Sequence, residues 1–293
     1  MSTNRSSFSA PTTTSMRSST GGIDMFDFLQ YGFIQNALLI GVALGLAAAF
    51  LSPYLVLNQQ AMIADGLAHV SFTGLILGIL LADEAIVIAI PFVMIASLLI
   101  KYLSQAKKIN NDAAIGLVSA VSFAIGLILV KSSRGFNISI ESMLVGNIFT
   151  ASPLEITLSL LILGIIALFI TFFYRPLFLI TYDADYARFA KVKVNLLSYT
   201  LAGLTAFFIV VGVRTIGILL ISALVIFPSV IASQWTKSFR MTLIFGLCTS
   251  VIIVILGIFI AHPLEIPAGS TIVVIYAILM MLSLGIKSLL RRA

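Results

Sequence analysis

The fold is decided by the stretch ALLIGVALGLAAAFLSPYLVL, which occupies residues 37–57. No charged side chain interrupts it. A helix needs about 20 apolar residues to cross the hydrocarbon core of a bilayer, whereas the strands of a membrane barrel alternate in polarity over about 10 residues. The stretch therefore predicts a transmembrane α-helix, which we delimit as Ile34–Leu57.

Similar blocks recur along the rest of the chain. Because backbone polar groups must be satisfied within the bilayer, continuous apolar blocks predict helices. The nine predicted spans are Ile34–Leu57, Ala61–Ala82, Ala85–Leu103, Ala113–Val130, Pro153–Tyr174, Leu196–Val213, Ile216–Ala232, Met241–Ala261 and Ser270–Ile286. The stretch Leu196–Ala232 is either two spans or one span and a re-entrant segment. The fold class is thus an all-α integral membrane protein, a polytopic bundle of eight to nine transmembrane helices.

The composition excludes several classes of protein. Hydrophobic residues make up 60% and charged residues 10% of the chain, against about 45–50% and about 25% in a soluble domain. A soluble enzyme, a nucleic-acid-binding domain and a disordered chain are therefore excluded. The single cysteine, Cys248, cannot form an intrachain disulfide. Residues 1–24 are rich in Ser and Thr and predict a disordered tail, which leaves residues 25–293 as the transmembrane domain.

The positive charges predict the orientation, because cytoplasmic loops carry an excess of lysine and arginine. With nine spans and the N-terminus outside, the chain has more basic residues in inner loops than outside. The inner ones are Lys101, Lys107, Lys108, Arg175, Arg188, Lys191, Lys193, Lys237, Arg240, Lys287, Arg291 and Arg292. The outer ones are Arg5, Arg17, Lys131, Arg134 and Arg214. An eight-span chain would have its N-terminus inside instead.

The span Ala61–Ala82 carries two ionisable side chains, Asp65 and His69. A charge at the centre of a transmembrane helix costs about 2.5–3.5 kcal/mol on insertion scales, and such residues usually mark an ion or substrate path. A spacing of four residues brings both side chains to one helix face. A carboxylate with an imidazole suits zinc or manganese, whereas copper(I) favours Cys and Met. The alternative is a hydrogen-bonded pair that only fixes helix packing.

Polar residues outside the spans give further candidates. His262 and Glu265 lie in the predicted outer loop AHPLEIPAGS, residues 261–270, and are either a site where a cation first reaches the protein or solvated loop residues. Arg214 is predicted at a membrane boundary or paired with an acid. The run Ile138–Phe149 is too short to cross a bilayer and predicts an extracytoplasmic or half-inserted helix.

The segment DADYARFAKVKV, residues 183–194, is polar and lies on the predicted inner side. Its acids come first and its lysines last, an order that favours a short helix. Such a helix between two spans could dock onto a partner protein. The alternative is an ordinary connecting loop.

Six segments together resemble the permease subunits of bacterial zinc/manganese ABC importers, from about Ala37 to Leu284. In the first, one span ends and the next begins with the pattern M-x-x-D-x-x-x-H. The six are LVLNQQAMIADGLAHVSFTGLILG (55–78), NNDAAIGLVSA (110–120), SMLVGNIFT (142–150), DADYARFA (183–190), TIGILLISALVIFPSVIA (215–232) and PAGSTIVV (267–274).

This resemblance implies roles for individual residues. Asp65 and His69 match the membrane-embedded ligands of the transported Zn²⁺ or Mn²⁺. A second set matches the cytoplasmic coupling helix that rests in a groove of the ATPase subunit. That set is Asp183, Asp185, Tyr186, Ala187 and Arg188. The chain departs from the family at Lys191, where a small residue, often Gly, is usual, and at residues 58–60, where a basic pair is often found.

The resemblance also implies partners. These are a cytosolic ATPase subunit, an extracytoplasmic metal-binding protein and a second permease chain, in the lipid of a bacterial cytoplasmic membrane. Neither a nucleic acid partner nor a permanently bound cofactor is expected. The sequence has no G-x-x-x-x-G-K-[ST] phosphate loop, so the chain is expected to be a transport subunit and not an enzyme. A permease for a metal chelate or vitamin and a secondary cation carrier are the alternatives.

Overall fold

A computed structural model describes residues 31–82, 84–105, 109–132 and 146–290. Helices account for most of this part of the chain. They are α1 (Gly32–Leu57), α2 (Ile63–Leu81), α3 (Ala85–Gln105), α4 (Asn111–Ser132), a 3-10 turn (Ile148–Thr150), α5 (Pro153–Phe172), α6 (Tyr174–Tyr182), α7 (Ala184–Phe189), α8 (Val194–Ile216), α9 (Ile218–Trp235), α10 (Phe239–Ala261) and α11 (Ala268–Leu290).

Within the described ranges, nine helices are long and apolar enough to cross a bilayer, namely α1–α5 and α8–α11. This confirms the predicted helical membrane fold. The stretch Leu196–Ala232 forms two such helices, which are separated by Gly217 at φ +84°. A Cβ at Gly146, which has φ +66°, would overlap the backbone at Ile216 and Gly217. Glycine at both positions therefore permits both the left-handed backbone and the close approach that ends α8.

Loops that follow alternate helices meet at the same end of the bundle. The side-chain amide of Asn58, after α1, donates to the hydroxyl of Thr181 in α6 at 3.4 Å. At the other end, Arg214 near the end of α8 pairs with Glu84, between α2 and α3, at 3.9 Å. Following the predicted orientation, we call the end with Asn58 the inner end and the end with Glu84 the outer end.

Helices α1, α2, α8 and α9 form the centre of the bundle, and α3, α4, α5, α10 and α11 surround them. Hydroxyl groups tie neighbouring helices together, because the bilayer core offers no water to buried carbonyls. Thr73 of α2 donates to the carbonyl of Ser122 in α4 at 2.6 Å. Ser97 of α3 donates to Ala202 in α8 at 2.9 Å.

The outermost helices expose apolar side chains that need a cover of lipid or protein. Ile128 of α4 is 65% exposed and Met281 of α11 is 71% exposed. These two helices have the smallest buried shares among the nine spans. Their outward faces are therefore available to lipid or to a second chain.

Two predictions fall mainly outside the described ranges. The tail of residues 1–24, predicted to be disordered, lies there, as does most of the predicted helix Ile138–Phe149, whose described part ends in the 3-10 turn Ile148–Thr150. The predicted span Pro153–Tyr174 ends earlier, at Phe172. Phe173 has a non-helical backbone and separates α5 from α6.

Candidate functional site

Asp65 and His69 lie on one face of α2, as their spacing predicts. The His69 Nε2 atom is 3.9 Å from the Asp65 Oδ2 atom. The side chain of His69 is 31% exposed and that of Asp65 is 43% exposed. The single chain therefore leaves both side chains partly exposed.

A contact with α9 gives the depth of this pair in the bundle. The hydroxyl of Ser222 donates to Asp65 Oδ1 at 3.4 Å. Asp65 stands in the first turn of α2, which starts from the inner end, and Ser222 stands just after the start of α9, which starts from the outer end. Because helices that start from opposite ends meet here, the pair lies in the interior of the bundle.

Helix α4 holds His69 from the other side. The ring of Phe123 packs edge-on against the imidazole, with 5.0 Å between the ring centroids. One turn further along, a Cβ at Gly126 would overlap the Thr73 hydroxyl, so the missing side chain lets α4 approach α2 closely. The Nδ1 atom of His69 is buried without a hydrogen-bond partner among the described residues.

The pair can supply two ligands to a metal ion. Zinc sits roughly 2.0–2.2 Å from nitrogen and oxygen ligands, so small side-chain rotations would close the Asp65–His69 gap around such an ion. Among the described residues, no group of three or more His, Cys, Asp or Glu side chains lies together. Further ligands must come from water, from hydroxyls such as Ser222, or from outside this chain.

The predicted coupling segment forms α7. Asp183 is its N-cap, and the carboxylate accepts hydrogen bonds from the backbone N–H groups of Asp185 and Tyr186 at 3.0 and 2.9 Å. Arg188 pairs with Asp185 at 2.8 Å on the exposed side. Ala187 is fully buried against the bundle, so this residue fixes the helix to the protein.

The exposed side of α7 is partly apolar. Tyr186 is 56% exposed and Phe189 is 86% exposed. Phe189 was not among the residues predicted from the sequence, although aromatic residues are enriched at protein interfaces. The segment is therefore a short capped helix, rather than an irregular loop, and it presents two aromatic rings at the inner end.

Comparison with known proteins assigns the chain to a family. A family model described as the ABC 3 transport family matches residues 30–287. The chain belongs to this family. The match includes eight of the nine membrane-spanning helices of the described ranges in full and the ninth except for its last residues, so the fold and the family are assigned to the same part of the chain.

Individual relatives of this ABC permease are distant but span nearly the whole chain. The manganese transport system membrane protein MntC of Halalkalibacterium halodurans is 28% identical over 255 residues, which are 87% of both chains. A probable iron transport system membrane protein of Haemophilus influenzae is 29% identical over 265 residues, covering 89% of this chain and 97% of the relative. The structure of PsaBC from Streptococcus pneumoniae in complex with Fab matches with a TM-score of 0.77 and 25% identity, covering 87% of this chain and 92% of that one.

These findings confirm the family resemblance. The protein is a metal-uptake ABC permease, a multi-pass protein of the cytoplasmic membrane and a transport component. A permease of this family implies an ATPase and a substrate-binding protein as partners.

The predicted outer candidates of the permease line one cavity. His262 and Glu265, together with Phe33, Phe149 and Gly146, border a space of about 460 Å³ at the outer end. The His262 ring packs against Phe33 and Phe149, with centroid distances of 5.8 and 6.1 Å. Glu265 is exposed at φ +53°. The imidazole is thus half-buried among aromatic rings, while the carboxylate faces solvent.

The outer end of the permease also contains an ion-pair cluster that sequence reasoning did not assemble. Arg214 Nε lies 2.7 Å from Glu155 Oε1, and Glu155 is nearly buried. The predicted pairing of Arg214 with an acid is confirmed. The other oxygen of Glu155 accepts from the backbone N–H of Ser152 at 2.9 Å, which completes the cap of α5. The S-x-x-E pattern at residues 152–155 is the sequence signal for this cap.

Proposed function

We propose that this permease carries a divalent transition metal ion, Mn²⁺ or Zn²⁺, across the membrane, and that Asp65 and His69 hold the ion on its way. The observation that carries this proposal is the Asp65–His69 pair, an ionisable pair in the bundle interior whose side chains are both partly exposed. Relatives whose names include manganese and iron transport support a first-row divalent ion and add Fe²⁺ to the ions to be tested.

The electrostatics of the pair favour a cation. Asp65 is a carboxylate inside the membrane, and among the described residues its ion-pair partner is His69. A charged side chain at this depth is costly unless it is compensated. A divalent ion would supply the compensating charge, and neutral His69 would supply a nitrogen ligand.

The ligand set needs completion, because two protein ligands are fewer than the four or more that these ions require. The outward apolar faces of α4 and α11, together with the likeness to PsaBC, support a second permease chain beside the first. Since the side chains of Asp65 and His69 are partly exposed in the single chain, ligands from that second chain or from water would complete the coordination. Manganese favours oxygen ligands, and Ser222 is the nearest additional oxygen donor.

Energy would come from a separate ATPase that docks on α7. The burial of Ala187 fixes this helix to the bundle, and the cap at Asp183 stabilises its first turn. A movement of the ATPase that displaces the exposed aromatic residues would therefore also displace the helices that α7 contacts. No permanently bound cofactor is needed in this scheme. An extracytoplasmic binding protein would deliver the ion to the outer end, where His262 and Glu265 border the cavity.

The test uses the permease with its ATPase and its extracytoplasmic binding protein in proteoliposomes, and measures uptake of ⁵⁴Mn²⁺, ⁶⁵Zn²⁺ and ⁵⁵Fe²⁺ with and without ATP. The variants are Asp65→Asn and His69→Gln, which preserve shape and remove the charge or the imidazole. Asp112→Asn is the matched control, because Asp112 is an exposed carboxylate in the first turn of α4. We expect ATP-driven uptake that falls at least about tenfold in both site variants, since loss of one good ligand commonly costs more than about 1.4 kcal/mol.

The control variant should transport like the wild type. Uptake that persists in both site variants would reject the pair as the ion site. Uptake of a metal chelate in place of the free ion would favour a chelate permease. Uptake driven by an ion gradient without ATP would favour a secondary carrier.

A further inference from the structure

A groove at the inner end has a composition that metal passage does not require. It encloses about 500 Å³ between the end of α5 and the start of α6 on one side and the start of α10 on the other. Arg175 and Arg240 stand at its mouth. Its walls are apolar, and they are formed by Phe50, Ile170, Phe172, Leu243 and Ile244.

Neither arginine of the groove is paired with a carboxylate among the described residues. The guanidinium of Arg240 lies over the ring of Tyr174, 5.5 Å from its centroid, and this ring in turn packs against Phe239 at 5.9 Å. Neither Arg175 nor Arg240 forms an ion pair with a carboxylate of the described residues. By contrast, Arg188 at the same end is paired with Asp185.

The position of the groove matches the boundary between membrane and cytoplasm. Helix α5 ends at Phe172 and α10 begins at Phe239, so the arginines lie where two spans meet the inner surface. On the membrane side of the arginines, Phe172 is 76% exposed and Ile244 is 54% exposed. A ligand here would meet two positive charges at one end and apolar side chains at membrane depth at the other.

We propose that this groove binds an anionic phospholipid of the inner leaflet. Its phosphate group lies between Arg175 and Arg240, and an acyl chain follows the apolar wall. Basic pockets between transmembrane helices on the cytoplasmic side suit anionic lipid headgroups. Arginine suits phosphate because its planar guanidinium donates two parallel hydrogen bonds. A soluble anion would use the arginines but would leave the apolar wall uncovered.

The experiment compares lipid binding by native mass spectrometry of the purified full-length permease. Phosphatidylglycerol and phosphatidylcholine with identical acyl chains are added in parallel. The test variant is Arg175→Gln/Arg240→Gln. The control variant, Lys237→Gln/Lys287→Gln, removes the same charge from the inner end outside the groove. We expect the wild type and the control to prefer phosphatidylglycerol by about 25-fold, because each of the two arginines contributes roughly a fivefold factor near an anionic headgroup.

In the test variant this preference should fall to near unity. An unchanged preference in Arg175→Gln/Arg240→Gln would overturn the proposal. A second arm adds millimolar inorganic phosphate, and displacement of the phosphatidylglycerol would identify a soluble-anion site instead. A third arm adds the ATPase. If the test variant loses the ATPase while it keeps its lipid preference, the groove is a protein contact and the proposal fails.

Discussion

At the scale of single residues, the backbone at Lys191 shows why a small residue would suit the end of α7. Its backbone has φ +60°, in the left-handed region that a side chain disfavours. The N–H of Val192 bonds to the carbonyl of Ala187 and the N–H of Lys191 to that of Arg188, both at 3.0 Å. This is the hydrogen-bond pattern of a Schellman cap, whose left-handed residue is usually glycine. Lys191, in place of the expected small residue, therefore keeps the geometry of this cap and raises its free-energy cost.

We therefore expect Lys191→Gly to stabilise the permease by about 0.5–1 kcal/mol. Glycine removes the cost of a left-handed backbone, and the greater entropy of glycine in the unfolded chain offsets part of this gain. The measurement is the midpoint of thermal unfolding by circular dichroism. Lys193→Gly is the matched control, because Lys193 has φ −76° and glycine brings no relief there. A midpoint that falls equally in both variants would contradict this account.

The candidate ligands were also predictable at this scale, but their surroundings were not. The spacing of Asp65 and His69 fixes them on one face of any helix, so their proximity follows from the sequence. The hydroxyl of Ser222 comes from a helix more than 150 residues later, and no local pattern distinguishes it from other serines in apolar spans. Phe123, which holds the imidazole, likewise belongs to another helix.

At the scale of one element, α7 has two unlike faces. Ala187 is buried against the bundle, while Tyr186 and Phe189 point outward. Aromatic side chains are enriched at protein interfaces, so this outward face is suited to contact with a partner. A groove of an ATPase subunit would provide such a contact, in the manner of a helix that is bound in a groove.

Phe189→Ser is expected to weaken binding of the ATPase at least about tenfold, because a central aromatic side chain commonly contributes about 2 kcal/mol or more to an interface. The fold should persist, since the side chain is 86% exposed. Leu289→Ser, which changes a 70% exposed residue in the last turn of α11, is the control. Binding is measured by co-purification and by titration in detergent. Equal losses in both variants would reject α7 as the docking element.

At the scale of the whole molecule, the ion pairs of Arg214 join three parts of the bundle at the outer end. The contact with Glu155 is short and largely shielded, while Glu84 is 3.9 Å away and 56% exposed. Removal of one partner from a buried pair leaves an uncompensated charge, whereas an exposed pair contributes little. Glu155 should therefore contribute much more than Glu84 to the free energy of unfolding.

Glu155→Gln is expected to destabilise the permease by about 1–3 kcal/mol, a value between those of buried and exposed pairs. Glu84→Gln is the control within the same cluster, with an expected change of less than about 0.5 kcal/mol. Thermal unfolding of both variants, together with Arg214→Gln and Glu155→Gln/Arg214→Gln, gives the coupling between Glu155 and Arg214. Equal costs for the two glutamates would refute the dominance of the short pair.

The membrane topology also belongs to this scale, and most of it followed from the sequence. The predicted spans differ from the observed helices by a few residues at their ends, and the uncertain stretch Leu196–Ala232 became two helices because Gly217 interrupts it. Helix α6 was not predicted. It has nine residues and begins after a break at Phe173, so it has neither the length nor the uniform apolarity that identifies a span.

By itself, the sequence determined a helical membrane protein, its spans, the Asp65–His69 pair and the likeness to a metal-uptake permease. These depend on apolar length and on residues close together in the chain, which local geometry fixes. The tertiary structure alone decided that Ser222 and Phe123 border the pair, that Arg214 meets Glu155, and that Arg175 and Arg240 border one groove. Each of these contacts joins helices far apart in sequence, and packing within the bundle, not helical periodicity, brings them together.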